Sequence, residues 1–377
     1  MKCIDEIPAG ELKGKRVLVR AGLDVSLDKN GEVIDLLRVE KSCPTIKYLS
    51  EAGARVIIIS HIGRDPGLTN EPVARALKKY LPVFYVPDHF GRLAHDTIAG
   101  MKDGEIIILE NLRQHYDLEK ANDASFAASL AGLGDMYVND AFSNSHRPHA
   151  SMIGIPKLLP SYAGFIVRDE VAHLSEALHP EHPALAIIGG AKFETKDPLI
   201  RSFLSVYDHV CVVGAIANDV LRVQGYPVGS RSRISEHAPD KEVVTNPKLI
   251  GPIDVTVERE DKQAQVKKPD KVEEGDKIVD IGPDTVAKLA PVIAAARFII
   301  WNGPTGLYED GYTSYTVAIA QLITKSDAKK VLGGGDTIAL LQKAGIPEEK
   351  LGFLSTGGGA MLEFLFKGTL PAIDALG

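Results

Sequence analysis

In the first half of the chain, several apolar runs end in side chains suited to gripping an anion. Val17-Leu18-Val19 leads to Arg20, and Val56 to Ile59 leads to Ser60-His61-Ile62-Gly63-Arg64. Ile106 to Leu109 leads to Glu110-Asn111-Leu112-Arg113, and Tyr137-Val138 opens a polar stretch from Asn139-Asp140 through His146-Arg147-Pro148-His149 to Ser151. Guanidinium and imidazole groups donate hydrogen bonds and can carry positive charge, so such a set suits phosphate or carboxylate. An isolated polar loop of this kind is also what an ordinary surface turn carries. Its recurrence at successive strand ends favours an anion site.

The second half ends its apolar runs in glycine. The segments are Gly189-Gly190-Ala191-Lys192, Gly333-Gly334-Gly335-Asp336-Thr337 and Ser355-Thr356-Gly357-Gly358-Gly359. A glycine after a buried strand lets backbone approach a phosphate, and the next helix adds unpaired N–H groups at its start. Close packing or a tight turn is the competing use of each glycine. Lys192 and Lys196 would share one face of a helix beginning after Gly190, either solvated or aimed along a phosphate chain. Asp336 is open to two readings, a helix N-cap or a ligand to Mg²⁺, which takes few protein carboxylates besides substrate phosphates. No GxxxxGK[ST] and no GxGxxG after the first strand occurs, which excludes a P-loop and a dinucleotide fold. No Ser-His-Asp or Cys-His arrangement is apparent either. An arginine-rich site in one half and a glycine-rich site in the other imply two phosphorylated ligands meeting in a cleft. That is the layout of a phosphotransferase, whose loose transition state needs positioning and electrostatic stabilisation more than a general base.

The elements that must carry these groups alternate, short Val/Ile-rich runs with amphipathic stretches, as in βαβ units around a mostly parallel sheet. The spacing predicts helices over Pro44 to Ala54 and Asp123 to Leu133, feeding strands over Arg55 to Ser60 and Asp135 to Asn139. Right-handed crossovers then bring the strand ends to one side. A second series runs through Ala184 to Gly190, Val210 to Gly214, Lys277 to Gly282, Arg297 to Gly303 and Lys330 to Gly335. Ala163 to Leu178 reads as a helix, and His179-Pro180-Glu181-His182-Pro183 as a connector. The polar stretch from Arg233 to Asp276 suggests a small antiparallel excursion. The expected fold class is α/β, with two Rossmann-like three-layer αβα domains of mostly parallel strands, separated by a cleft and joined by a helical hinge.

Bulk composition agrees. A chain of 377 residues, 45% hydrophobic and 25% charged, favours two domains. A net charge of -7 argues against a nucleic-acid partner. Three scattered cysteines make a disulfide framework improbable and fit a reducing compartment. The first residues lack an apolar leader, and no apolar stretch reaches bilayer length, so the expectation is a cytoplasmic protein with no membrane partner.

Taken in order, several motifs match one family. They are Cys43-Pro44-Thr45-Ile46-Lys47-Tyr48-Leu49, Ser60 to Arg64, Leu109 to Arg113, Val138-Asn139-Asp140-Ala141-Phe142 with His146-Arg147, and Gly189 to Lys192. Asp280-Ile281-Gly282-Pro283, Trp301-Asn302-Gly303-Pro304, Gly333 to Thr337 and Ser355 to Ala360 follow. Over essentially its whole length the chain resembles phosphoglycerate kinase. The resemblance implies reversible phosphoryl transfer between 1,3-bisphosphoglycerate and ADP, giving 3-phosphoglycerate and ATP, with Mg²⁺ as cofactor, in a monomer. It implies a phosphoglycerate-binding domain over residues 1–168, onto which 362–377 returns, and a nucleotide-binding domain over 169–361. Asp24, Arg38, His61, Arg64, Arg113 and Arg147 are then the expected substrate-binding residues. Arg38, Lys192, Gly334 and Gly358 form the expected catalytic set. Gly189, Lys192, Lys196, Gly214, Gly282, Asn302, Gly303, Pro304, Glu309, Gly333, Gly334, Gly335, Asp336 and Thr337 would surround the nucleotide, with Asp336 on the metal and Glu309 on the ribose.

One segment departs from the family pattern. Where Arg-Val-Asp-Phe-Asn-Val-Pro is usual, this chain has Arg20-Ala21-Gly22-Leu23-Asp24-Val25-Ser26. Continued strand geometry would put Gly22 and Asp24 on one face. Three readings stay open: Asp24 replaces the missing carboxylate, the substrate hydroxyl is held more weakly, or the acyl substrate differs. Gln114 and Val213 are smaller departures. Together these leave two alternatives, a nucleotide-binding relative without catalysis and a kinase for another acyl phosphate.

Overall fold

β-Branched runs suit the pleated, doubly covered strands of a parallel sheet. In the computed structural model, which describes residues 1–34 and 36–377, the first strands are β1 (Arg16–Ala21), β2 (Arg55–Ile59), β3 (Val83–Tyr85), β4 (Ile106–Ile108), β5 (Met136–Asp140) and β6 (Ser161–Ala163). They form one parallel sheet in the order β3-β4-β2-β1-β5-β6. Val17, Val19, Val56, Ile58, Ile106 and Ile108 share a core with Val39, Ile46 and Leu49 of helix Leu37–Glu51. The alternate residues Leu18, Ile57 and Ile107 are buried on the other face. Each fully buried aliphatic chain of this kind contributes about 1.5–3 kcal/mol.

The second series supplies β7 (Ala184–Ile188), β8 (His209–Val212), β9 (Leu249–Ile250), β10 (Val255–Glu258), β11 (Ala264–Lys267), β12 (Lys277–Ile281), β13 (Phe298–Asn302), β14 (Lys329–Gly333) and β15 (Phe353–Leu354). Its main sheet is parallel, in the order β15-β14-β13-β7-β8-β9. The antiparallel excursion is a separate sheet, β11-β10-β12. The fold is thus α/β with mostly parallel sheets, as the residue pattern predicts.

By contacts the chain divides into two units, Met1–Ala172 with Thr369–Gly377, and His173–Gly368. The division falls inside helix Phe165–Leu178. His179 to Pro183, read above as the connector, lies within the second unit. It is tied there because the Pro183 carbonyl accepts from Arg297 N–H at 2.8 Å and His182 Nδ1 meets Asp208 Oδ2 at 2.7 Å. At the chain end, helix Gly358–Lys367 buries Met361, Phe364 and Leu365 and stays with the second unit. Thr369–Gly377 belongs to the first, where Ala372 N–H donates to the Ser145 carbonyl at 3.1 Å and Ala372 packs with Ala141 and Met152.

One helix start in the first unit differs from expectation. The helix predicted from Pro44 begins at Leu37 and carries Pro44 inside it. Burial of Val39 against the sheet outweighs the proline, a tertiary effect that local preference does not register. Among the described residues no helix is long and apolar enough to cross a membrane.

Candidate active site

Parallel pairing of Arg20 with both Ile59 and Asn139 brings the ends of β1, β2 and β5 to one edge of the first sheet. Arg20 is buried there. Its Nε donates to Ser151 Oγ at 3.1 Å, Nη1 to the Ala21 carbonyl at 2.6 Å, and Nη2 lies 2.8 Å from His61 Nδ1. Since a guanidinium only donates, His61 Nδ1 must accept and its proton resides on Nε2. Burial, reinforced by the Arg20 charge, takes the His61 pKa down to about 4, so the ring is neutral near pH 7. Nε2 faces Asp24 Oδ2 at 3.5 Å. Asp24 Oδ1 accepts from Gly63 N–H at 2.9 Å. Burial would raise the Asp24 carboxyl, but His61, the Gly63 amide and Arg38 outweigh it and hold the pKa at about 2.

The neighbours of this relay are the other expected substrate ligands. Arg38 Nη1 donates to the Asp24 carbonyl at 3.0 Å, and Arg113 Nε donates to the Gly63 carbonyl at 3.0 Å. His61 and Arg113 line a narrow pocket with Arg20, Tyr116, Glu119 and His149. Arg64, exposed, lines a wider one of about 710 Å³, again with Arg113 and Tyr116. Arg38, Asp24 and Arg147 line neither of these, though the Arg147 charge reaches His149 and, after burial, helps hold that ring's pKa at about 4.

Gly22 and Asp24 do not share a strand face. β1 stops at Ala21, where the chain leaves the sheet, so the two-residue period no longer applies. A Cβ on Gly22 would stand 3.4 Å from Ser143 Oγ, while Asp24 turns to His61 and Gly63. The stretch after Val138 is no surface turn either: Asn139, Asp140, Asn144, Ser145 and Ser151 are all buried. Asp140 accepts from Ile166 N–H at 2.9 Å at the start of helix Phe165–Leu178, and burial pushes its pKa up to about 8. Sequence reasoning missed Tyr116 and Glu119. Their three-residue spacing in the short helix Tyr116–Lys120, directly after Arg113, is the signal that could have found them.

In the second unit the glycines divide by what surrounds them. Gly303 has φ +95°, and a Cβ there would lie 2.7 Å from the Gly189 carbonyl. Gly189 N–H donates to the Asn302 carbonyl at 2.7 Å, so the turns after β7 and β13 meet backbone to backbone. Gly333 is likewise closed in by Met361 Sδ, and Gly358 approaches Gly334 Cα at 3.3 Å, where a Cβ would sit. Gly282 makes room for Asp254, which accepts from Asp284 and Thr285 N–H, both at 2.8 Å. Packing explains all of these. Gly335 and Gly359 face open space.

The expected shared helix of Lys192 and Lys196 is absent. A single 3₁₀ turn, Phe193–Thr195, follows Lys192, and the helix starts at Asp197 with Lys196 as its N-cap residue. Pro198, whose ring is preorganised for a first helical turn, sets that later start. Lys192 is exposed. The Lys196 stem lies beside Gly190, and burial lowers its pKa to about 8. Among the described residues no carboxylate pairs with Lys196. Helix Gly335–Lys343 has Gly334 as its N-cap residue, which leaves Asp336 in its first turn, hydrogen-bonded by the Tyr308 hydroxyl. Thr337 Oγ1, next along, is buried without a hydrogen-bond partner among the described residues.

An open cavity of about 760 Å³ reaches from Gly190 and Ala191 to Asp336. Its walls include the expected residues Gly214, Pro304, Glu309 and Asp336, apolar Val255, Ile278 and Leu307, and polar residues outside the expected binding set, among them Asn218, Arg233 and Asp280. Asp280 is buried, with its pKa raised to about 7. The exposed Asp336 carboxylate, beside the unpartnered Thr337 hydroxyl and a helix start, fits Mg²⁺ delivered with phosphates. Among the described residues no cluster of three or more metal-binding side chains is present.

Comparison with known proteins identifies the family of the chain. The phosphoglycerate kinase family model matches residues 4–368. Phosphoglycerate kinase of Moorella thermoacetica is 41% identical over 384 residues, covering 97% of each chain. That of Dictyoglomus turgidum is 39% identical over 100% of this chain and 98% of its own. Among solved structures, phosphoglycerate kinase from Coxiella burnetii superposes with TM-score 0.83 at 35% identity, covering 99% of this chain and 97% of the other. The enzyme from Pyrococcus horikoshii gives TM-score 0.88 at 31% identity, covering 100% and 98%.

Proposed function

The chain belongs to the phosphoglycerate kinase family and is a phosphotransferase with a carboxyl group as acceptor, and from that premise we propose how its two residue sets divide the work. The basic strand ends of the first unit hold 3-phosphoglycerate or 1,3-bisphosphoglycerate, through His61, Arg64, Arg113 and Arg147 with Arg38 on the transferring group. The glycine turns of the second hold Mg-ATP or Mg-ADP, with the nucleoside in the cavity beside Glu309 and the phosphates toward Lys192, Lys196 and the start of helix Gly335–Lys343. The observation that carries this reading is cationic: Arg113 and Lys196 are both held by their surroundings yet meet no carboxylate among the described residues.

In the direction of ATP use, a carboxylate oxygen of 3-phosphoglycerate attacks the γ-phosphorus. A new P–O bond forms as the bond to ADP breaks, and the electron pair leaves on the β-phosphate oxygen. The attacking carboxylate is already ionised at neutral pH, so no base is needed. Arg38 and Lys192 stabilise charge on the equatorial oxygens, and the backbone N–H groups at Gly334 and Gly358 add further donors. Asp336 would hold Mg²⁺, which supplies charge neutralisation on the nucleotide phosphates. Thr337 Oγ1 donates its unsatisfied hydrogen bond to a phosphate oxygen. Because both residue sets come from one chain, we take the working unit to be a monomer, and its three free cysteines fit a reducing, cytoplasmic setting.

The test is a coupled assay. ADP release from ATP is expected to require both 3-phosphoglycerate and Mg²⁺; release that ignores 3-phosphoglycerate overturns the reading.

Lys196 adds a pH signature. With its pKa near 8 in the free protein, the ammonium is charged below that pH and lost above it. Binding of a polyanion requires the charged form, so the KM for Mg-ATP is expected to rise about tenfold between about pH 7 and pH 9. Lys196→Arg, which stays charged throughout, is expected to flatten that rise. An unchanged slope in the variant places the titrating group elsewhere.

A further inference from the structure

We propose that Tyr116 is a positioning residue for Arg113, its ring serving as the platform that holds the guanidinium in the plane needed to grip the acidic substrate. This rests on Arg113 being a substrate ligand, as proposed above. The Arg113 Cζ stands 4.6 Å from the Tyr116 ring centroid. Its Nε is already committed to the Gly63 carbonyl at 3.0 Å. One face and one nitrogen are thereby fixed, and the two terminal amino groups keep their N–H bonds for an anion. Arg113 and Tyr116 are the two residues that line both cavities of the basic site.

The ring is itself anchored. Tyr116 opens the short helix whose Glu119 accepts from Ser151 N–H at 2.9 Å, and its edge meets His149 with centroids 6.2 Å apart. A guanidinium preorganised on an aromatic face loses less rotamer freedom when it binds a carboxylate or phosphate. The cation–π contact adds attraction at a partly desolvated site. The Tyr116 hydroxyl makes no hydrogen bond among the described residues, so the ring and not the oxygen should matter.

The experiment compares Tyr116→Leu, Tyr116→Phe and Arg113→Ala by steady-state kinetics, varying each substrate separately. Tyr116→Leu is expected to raise the KM for 3-phosphoglycerate about five- to tenfold, with kcat and the KM for Mg-ATP within about twofold. Tyr116→Phe is expected to match the parent. Combined with Arg113→Ala, Tyr116→Leu is expected to add no further loss, the mark of two residues acting as a unit. Equal losses in Phe and Leu variants overturn the platform in favour of the hydroxyl. An unaffected Leu variant beside an impaired Arg113→Ala overturns the platform alone. A normal KM for 3-phosphoglycerate in Arg113→Ala overturns the substrate placement, and the platform with it.

Discussion

Replacing Arg38 with alanine is expected to lower kcat by about 10²–10³-fold while leaving the KM for Mg-ATP within about twofold. The guanidinium sits in the first turn of helix Leu37–Glu51, with Nη1 donating to the Asp24 carbonyl at 3.0 Å. That acceptor is a neutral backbone group, exchanged at about 0.5–1.5 kcal/mol, and the Asp24 carboxylate adds only a longer-range charge attraction, so the side chain can shift onto a transferring phosphoryl. An interaction gained only in the transition state appears in kcat and not in ground-state affinity. Lys192→Ala should lower kcat alike, since Lys192 is exposed at the turn after β7 and no protein group holds it among the described residues, but it is expected to raise the KM for Mg-ATP as well, because Lys192 is also assigned to the nucleotide phosphates. Arg38→Lys keeps the charge but not the planar fork and is expected to recover part of the loss. Single-turnover measurements with saturating ligands check this, and an alanine variant with parental kcat removes Arg38 from the catalytic set.

Gly303→Ala is expected to destabilise the protein by about 3–5 kcal/mol. Two causes add. The residue has φ +95°, where an L side chain is strained, and its Cβ would fall 2.7 Å from the backbone carbonyl of Gly189, which cannot rotate away. Gly335→Ala is the contrast. Nothing stands within 4 Å of a Cβ there, so stability should stay within about 0.5 kcal/mol. Its KM for Mg-ATP should nonetheless rise, because the methyl occupies space left for phosphate at the helix start. Denaturant midpoints and KM values measured side by side separate the two. Similar midpoints for both variants contradict the division of the glycines into packing and open classes.

These contrasts show what can be read from a chain and what cannot. The parallel α/β fold was legible because Val/Ile runs such as Val56 to Ile59 must be buried on both faces, and only helix-covered parallel sheets provide that. The candidate ligands were legible as residue types, since arginine and lysine at strand ends suit anions, whereas glycine there serves packing equally well. Helix starts were less so. Pro44 marks a start by local rule, yet burial of Val39 carries the helix back to Leu37. Lys192 and Lys196 have helical spacing, yet a 3₁₀ turn separates them.

The sequence alone determined the fold class, the family and the inventory of charged and glycine residues from which both sites are built, because hydrophobic period and residue chemistry are local properties. Only the tertiary structure decided which glycines serve packing and which face open space, since Gly303 meets Gly189 through backbone far away in the chain. It also decided the proton on His61, the turn of Asp24 away from the expected strand face, and the stacking of Arg113 on Tyr116. Each of these depends on the direction and distance of groups brought together by folding, which no local pattern encodes.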